Sequence, residues 1–381
     1  MPKLISSRPA KVNTDGPAWA GHYYLPLVAL SVAIYWVSVS AIPIYNKYFF
    51  NKKKFPYPIA TAGIQLGVVA VLLLVGNIAM HFVCRRTKHG VEKSWVLGPH
   101  FMYKLKWCAP VGLLFGLKYS VTNEGLYLID TQTHLLLQAS GLVWTVIFSR
   151  TIVREKVSWQ ELLCCVGSVI GSVLLALHLN NTTKAPALGI VINFASPIIL
   201  GATIACLRLG CKELMNPTNR LQGTMSVIEF TCIKLALSST VALVGSFIFE
   251  GSLHLDLGKA SHKVSWWDAL GRLTDTGNGD IVAGVICGAF LVLIFQVNIT
   301  FLSFLTNSIS VGLVGEAKIV PQWAADAIIS KHVSPAPLNI VGAILVMLSA
   351  ASYALVRFLM VRNTEQDLEN PVFVAPEEIK K

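Results

Sequence analysis

The chain has 381 residues, of which 54% are apolar before its 28 glycines are counted and 13% are charged, whereas soluble domains average roughly 45–50% apolar with glycine included and about 25% charged. With a mean hydropathy of +0.60, this excludes a disordered chain, a disulfide-stapled miniprotein and an ordinary aqueous enzyme, because the apolar surface exceeds what such a chain can hide in water. The net charge of +11 would suggest nucleic acid in a soluble protein. In a membrane protein it is what basic cytosolic loops produce, so no nucleic-acid partner is inferred.

Residues 1–23 carry Lys3, Arg8 and Lys11 with no apolar core and no small-residue cleavage site, which reads as a cytosolic tail and not as a signal or transit peptide. A span needs about 20 mostly apolar residues. Cutting the chain where charge, Pro, Gly or Asn interrupts such runs predicts ten transmembrane helices, near 24–45, 57–83, 107–127, 129–149, 158–179, 187–207, 224–249, 281–305, 308–330 and 337–360. Very short links at 128–130 and 306–307 make the helices they join antiparallel neighbours. The one sizeable loop, 250–280, holds Trp266, Trp267, Asp268, Asp275 and Asp280, and reads as an amphipathic segment on the membrane surface with room for a short interfacial helix. A second cytosolic tail occupies 361–381.

Val157-Ser158, Leu162 and Val166-Gly167 recur as Val333-Ser334, Leu338 and Val341-Gly342, each time just before the last helix of a five-helix half. Five is odd, so the second half (187–360) must sit upside down relative to the first (24–179). The predicted fold is therefore all-α, with ten transmembrane helices as two inverted five-helix repeats, the arrangement of alternating-access transporters. Orientation follows from Lys and Arg: 19 fall on the side of the amino terminus and 9 on the other, with Lys118, Lys234 and Lys318 inside spans. Both termini are predicted cytosolic, and Asn180 to Thr183 and the 250–280 loop lumenal. The eight cysteines show no C-x-x-C and lie mostly in apolar runs, so neither a metal, a disulfide nor a cofactor is expected.

Ionisable groups inside spans cost roughly 2.5–3.5 kcal/mol each on insertion scales, so they persist where they are paired or line a wet cavity. Here they are Lys118, Glu124, Glu229, Lys234, Glu316, Lys318 and Asp326, and each is either a member of a helix-locking ion pair or a site residue. Lys318 lies midway along the ninth span. Pro321 has no N–H for the carbonyl of Ala317, which predicts a kink beside the lysine and favours a substrate role. In the fourth span Thr131, His134, Gln138 and Thr145 share a helix face, with Gln138 at the midplane; the stripe suits a cavity or interhelical hydrogen bonding equally. Lys118, Thr122 and Asn123 in the third span and Gln296, Asn298, Thr300 and Ser303 in the eighth supply further candidates. Glu229 and Lys234 are five apart and do not share a face, so each is expected to pair with another helix.

Several stretches resemble the triose-phosphate/nucleotide-sugar translocators of the drug/metabolite transporter superfamily. Asn46-Lys47 followed by Phe55-Pro56-Tyr57-Pro58 looks like that family's N-K and F-P-x-P boundary. Asn123-Glu124-Gly125-Leu126 resembles its N-x-S-L, Arg154-Glu155-Lys156 its G-E-K, Gly315-Glu316-Ala317-Lys318 its G-x-x-K, and Val333-Ser334-Pro335 to Gly342 its closing V-S-P-x-N-x-x-G. The likeness covers about residues 40–360. It implies ten helices in two inverted halves and exchange of phosphorylated sugars or nucleotide sugars, with phosphate held by a lysine in the fourth helix and a Lys-Arg pair in the ninth. Here Gln138 and Ile319 stand where two of those cations would be, which disfavours a plain triose-phosphate exchanger and leaves Lys118 as a replacement or a structural partner of Glu124 or Asp326.

The expected function is secondary transport, by antiport, of a nucleotide sugar or related phosphorylated metabolite across a Golgi or endoplasmic reticulum membrane. Lys318 is the anion anchor, Gln138 and His134 are its hydrogen-bonding companions, and Thr131, Lys118, Asn123, Gln296, Thr300 and Glu316 complete the candidate site. No phosphate-cradling G-x-x-x-x-G-K and no Ser/His/Asp spacing points to an enzyme. Membrane lipid and an organic phosphate are the expected partners, with a homodimer one of the assemblies left open. Alternatives are a sugar phosphate, an unphosphorylated solute, or a transporter-like scaffold that no longer transports.

Overall fold

The computed structural model describes residues 24–51, 57–86, 94–129, 131–176, 187–252, 267, 271, 279–330 and 337–369. Residues 1–23 and 370–381 of the predicted tails, most of the 250–280 loop, the Asn180 to Thr183 stretch and Lys331 to Ala336 lie outside the described residues, as do the side chains of Thr131 and Asp326; 361–369, expected as tail, continue the last helix.

Among the described residues every regular element is helical. These are α1 (Tyr24–Asn51), α2 (Pro58–Arg86), α3 (Phe101–Leu128), α4 (Thr131–Gln138), α5 (Gly141–Phe148), α6 (Trp159–Ala176), α7 (Ala187–Leu214), α8 (Val227–Ser246), α9 (Gly279–Leu305), α10 (Ser308–Ala317), α11 (Ile319–Ser330) and α12 (Pro337–Glu369), with single π-helical turns extending α5 over Ser149–Val153 and α8 over Phe247–Ser252. Among the described residues seven helical stretches are long and apolar enough to cross a membrane: Tyr24–Asn46, Pro58–Val83, Thr133–Val153, Gly189–Leu214, Val227–Glu250, Gly279–Leu305 and Pro337–Met360. Their outward faces are large and apolar, as at Val71, Val75, Phe82, Phe290, Ile344 and Leu348, while serines, asparagines and glutamines turn inward. Lipid in place of water accounts for that inversion.

Local chemistry sets the helix ends. Ser158 and Glu161 form a capping box at α6: Glu161 N donates to Ser158 Oγ (3.2 Å) and Ser158 N to Glu161 Oε2 (2.8 Å). Ser226 accepts from Glu229 N (3.1 Å) to start α8, and Asn307 accepts from Ser310 N (2.7 Å) to start α10. The third helix begins at Phe101, earlier than its charges suggested, because Lys104 is buried. Its ammonium pairs with Glu229 at 2.6 Å, both side chains fully excluded from solvent, and also donates to Trp95 O (2.7 Å). Glu229 thus pairs with another helix, as expected from its spacing to Lys234.

Packing depends on small residues. A Cβ on Gly116 of α3 would sit 2.5 Å from Ser238 O of α8, and one on Gly342 of α12 would sit 2.4 Å from Leu175 N of α6, so only glycine allows these backbones to approach. Ser238 Oγ donates to Gly112 O (2.8 Å) and Ser239 Oγ to Gly63 O (2.8 Å), tying α8 to α3 and α2. The dominant packings are α2 on α8, α6 on α12, α3 on α7 and α8, α1 on α9, and α5 on α7.

Candidate functional site

Two predicted spans are interrupted where the sequence placed polar groups. The fourth breaks at Ala139 and Ser140 between α4 and α5, and the ninth breaks at Lys318 between α10 and α11. In the ninth, Pro321 has no N–H for Ala317 O, while Gln322 N bonds Lys318 O at 3.0 Å, so α11 starts afresh at the lysine. A cavity lies beside both breaks, lined by Val39, Ile42, Pro43, Lys118, Tyr119, Thr122, Asn123, Leu126, His134, Leu135, Gln138, Phe295, Lys318 and Gln322.

Lys118 from α3 and Lys318 from the α10–α11 break share this wall, and no carboxylate is among the described lining residues. The described ion pairs join Lys104 to Glu229, Arg208 to Glu155 and Arg357 to Glu161, so neither cavity lysine is neutralised by one of them. Two ammonium groups on one low-dielectric wall repel each other and attract an anion. Among the described residues Gln322 Oε1 and the Tyr119 hydroxyl have no hydrogen-bond partner, although Gln322 Nε2 donates to Val39 O (2.9 Å).

His134 and Gln138 are aimed by Asn193 of α7. Asn193 Nδ2 donates to Gly125 O (3.0 Å) and Gly189 O (2.7 Å), which leaves its Oδ1 to accept from His134 Nδ1 at 2.5 Å. Gln138 Nε2 donates to Asn193 O at 3.4 Å. Asn123 Nδ2 donates to Pro58 O (3.4 Å) and its Oδ1 accepts from Asn46 Nδ2 (3.3 Å), so three of the quoted boundary motifs meet at one point of the wall.

The structure therefore brings Lys318, Lys118, Gln138, His134 and Asn123 together. It places Gln296 and Thr300 elsewhere. Thr300 Oγ1 accepts from Lys234 Nζ (2.9 Å) and from Thr231 (3.0 Å), and Gln296 is fully buried with neither amide atom hydrogen-bonded among the described residues. Glu316 is buried just before the α10–α11 break, off the cavity wall. Thr145 does not share the face of Gln138 as a continuous helix would have it. The break intervenes, and Thr145 bonds Gly141 O (2.9 Å) while packing on Gly312. Tyr119, Phe295 and Gln322 were missed. Gln322 was legible, since it follows Lys318 by one turn; Tyr119 and Phe295 have no signal that separates them from core aromatics.

No family model matches the chain. Over 106 residues it is 37% identical to the "Probable purine permease 4" of Arabidopsis thaliana, a match that spans 28% of this chain and 26% of that protein. A solved crystal structure aligns with a TM-score of 0.54 at 12% identity, covering 86% of this chain and 98% of that one, which is a likeness of fold alone. The apolar helices and the cavity, with the permease similarity, define a multi-pass, transporter-like membrane protein.

Proposed function

We propose that the protein is a secondary antiporter for an organic anion, with a nucleotide sugar the leading substrate and a sugar phosphate the alternative. The observation that carries this reading is the pair of cavity lysines, Lys118 and Lys318, which share a wall without a carboxylate among its described residues and enter none of the described ion pairs, although Glu316 lies near enough to Lys318 to act on it electrostatically from off the wall. An anion bridging them would gain charge-assisted hydrogen bonds. The amides of Gln138, Asn123 and Gln322 suit the edges of a nucleobase and Phe295 its face. The permease named among similar proteins favours a second reading, an unphosphorylated purine, in which the lysines would serve acidic or carbonyl groups of the solute.

We read the chain as ten crossings in two inverted halves, an arrangement suited to alternating access. Besides the seven long apolar helices, α3, α6 and the α10–α11 pair complete the count; α3 exposes Leu113 and Leu117, and α6 exposes Leu163, Val166 and Ile170, on outward faces. Renumbering crossings by five maps the packing onto itself. The first on the eighth (α1 on α9) becomes the sixth on the third (α7 on α3), the second on the seventh (α2 on α8) maps to itself, and so does the fifth on the tenth (α6 on α12). The interrupted fourth and ninth crossings are likewise equivalent, as half-helices at a midplane site would be. We place the protein in a Golgi or endoplasmic reticulum membrane.

The test is counterflow in proteoliposomes with labelled nucleotide sugars, hexose and triose phosphates, nucleoside monophosphates and free purines. Exchange of phosphorylated members, competed by inorganic phosphate, is the expected result. Exchange of purines alone would favour the second reading, and no exchange at all a scaffold.

A further inference from the structure

At one end of the molecule the cavity is shut twice over. Following α5 and α10 away from Gln138 and Lys318, Leu142 and Val146 pack with Ile309 and Leu313, and a Cβ on Gly312 would come within 2.7 Å of Thr145 Cγ2. In the other direction the wall runs to Leu126 and His134, within one turn of the ends of α3 and α4. The cavity is thus closed on the side of the turn between α9 and α10.

Beyond that apolar seal, two side chains grip the α9–α10 turn. Arg208 Nη1 of α7 donates to Ser303 O (2.9 Å) and Phe304 O (3.1 Å), the last carbonyls of α9. Glu155, which follows the π-helical turn after α5, accepts from Ser308 N (3.3 Å), the first amide of α10, and from the hydroxyl of Ser149. Arg208 Nε lies 3.6 Å from Glu155 Oε1. A helix ends in partial negative charge and begins in partial positive charge, so each side chain meets the end that it complements. The gripping residues belong to the group formed by α3, α5 and α7, and the turn belongs to the helices that pack with α1.

We infer that Glu155 and Arg208 form a latch between these two helix groups, holding this end of the cavity closed and releasing when the protein opens to the other side. The inference rests on the alternating-access reading above. In the predicted orientation the latched end is cytosolic.

The latch can be read without any substrate. Spin labels at Leu25 of α1 and Lys212 of α7, both exposed near this end, report its width in the full-length protein in nanodiscs by pulsed dipolar spectroscopy. The wild type is expected to give one short distance, and Glu155→Gln to move most of the population to a longer one. Ser308→Pro is expected to do the same: proline suits the first residue of a helix but removes the N–H that Glu155 accepts. It also stands in should Glu155→Gln not fold. Reversing both charges, Glu155→Arg with Arg208→Glu, keeps an ion pair but turns each charge against the wrong helix end, so the long distance should persist. A short distance restored by that reversal would make the contact an ordinary ion pair and overturn the latch, as would wild-type distances in a folded Glu155→Gln or Ser308→Pro. Absence of metabolite exchange in the counterflow panel would count against transport and leave the distance result standing.

Discussion

Lys318 and Lys118 differ from the other buried lysines in what surrounds them. Lys104 is matched by Glu229 at 2.6 Å, and Lys234, fully buried, donates to Thr300 and lies 4.6 Å above the Phe115 ring; both are built into helix packing. Removing Lys104 should therefore unfold or strongly destabilise the protein, by about 3–5 kcal/mol, because Glu229 would be left as an uncompensated buried charge. Thermal melting of Lys104→Met checks this, and Lys104→Met with Glu229→Gln should recover much of the loss. Lys318→Ala should behave oppositely. Its ammonium faces a cavity and forms no described ion pair, Glu316 acting on it only from off the wall, so the melting temperature should hold while exchange is lost, the anion forgoing a charge-assisted hydrogen bond of about 1.5–3 kcal/mol. If instead Lys318→Ala melts early and is rescued by Glu316→Gln, the lysine is a structural partner of that acid. Gln138→Lys adds a third cation to the wall and should strengthen competition by small phosphate esters relative to nucleotide sugars; unchanged competition in a folded variant would remove Gln138 from the site.

At the scale of the element, the apolar runs were plain because lipid imposes the same length on every span, and Lys318 with Pro321 gave away the break in the ninth. The break at Ala139–Ser140 was not legible. Neither residue is a helix breaker, and α5 turns from the face of α4 to pack on α7, where Gly201 meets Trp144 and Thr145. That is why Thr145 drops out of the stripe that Gln138 and His134 keep. The placement of Thr300 was equally hidden, since its partners Lys234 and Thr231 lie on another helix. Glu155 was visible as part of a motif, while its partner, the first amide of α10, is distant in sequence. Spacing on one helix orders residues along that helix only; which helix answers them is decided by packing. Glycines make the same point testably. Gly116→Ala should destabilise by about 1–3 kcal/mol, because its Cβ would strike Ser238 O. Gly76→Ala in α2 meets nothing within 4 Å and should be neutral or stabilising by up to about 1 kcal/mol. Equal melting shifts in the two variants would mean that α3 and α8 do not cross as closely as described.

For the whole molecule, parity separates two accounts of the same helices. If the seven long apolar helices alone crossed the membrane, the chain would end on the side opposite its start; with α3, α6 and the α10–α11 pair crossing too, ten passes return it to the same side. The packing favours the even count. Tyr24, the first residue of α1, donates to Leu305 O at 3.0 Å, and Tyr353, well along α12, donates to Asn307 Oδ1 at 3.3 Å. Both ends of the membrane body thus meet at the α9–α10 turn, and Arg357, one turn further along α12, reaches Glu161 at the start of α6 (3.4 Å). The unequal division of Lys and Arg, 19 against 9, predicts that this shared face is cytosolic. Epitope tags fused to each terminus, digested in intact and in permeabilised microsomes, should both be cut in the intact vesicles, whose outer face is cytosolic. Protection of one tag alone would remove the tenfold count together with the inverted repeat built on it. Protection of both would keep the repeat and reverse its orientation, so that the latch at Glu155 and Arg208 would close the lumenal side.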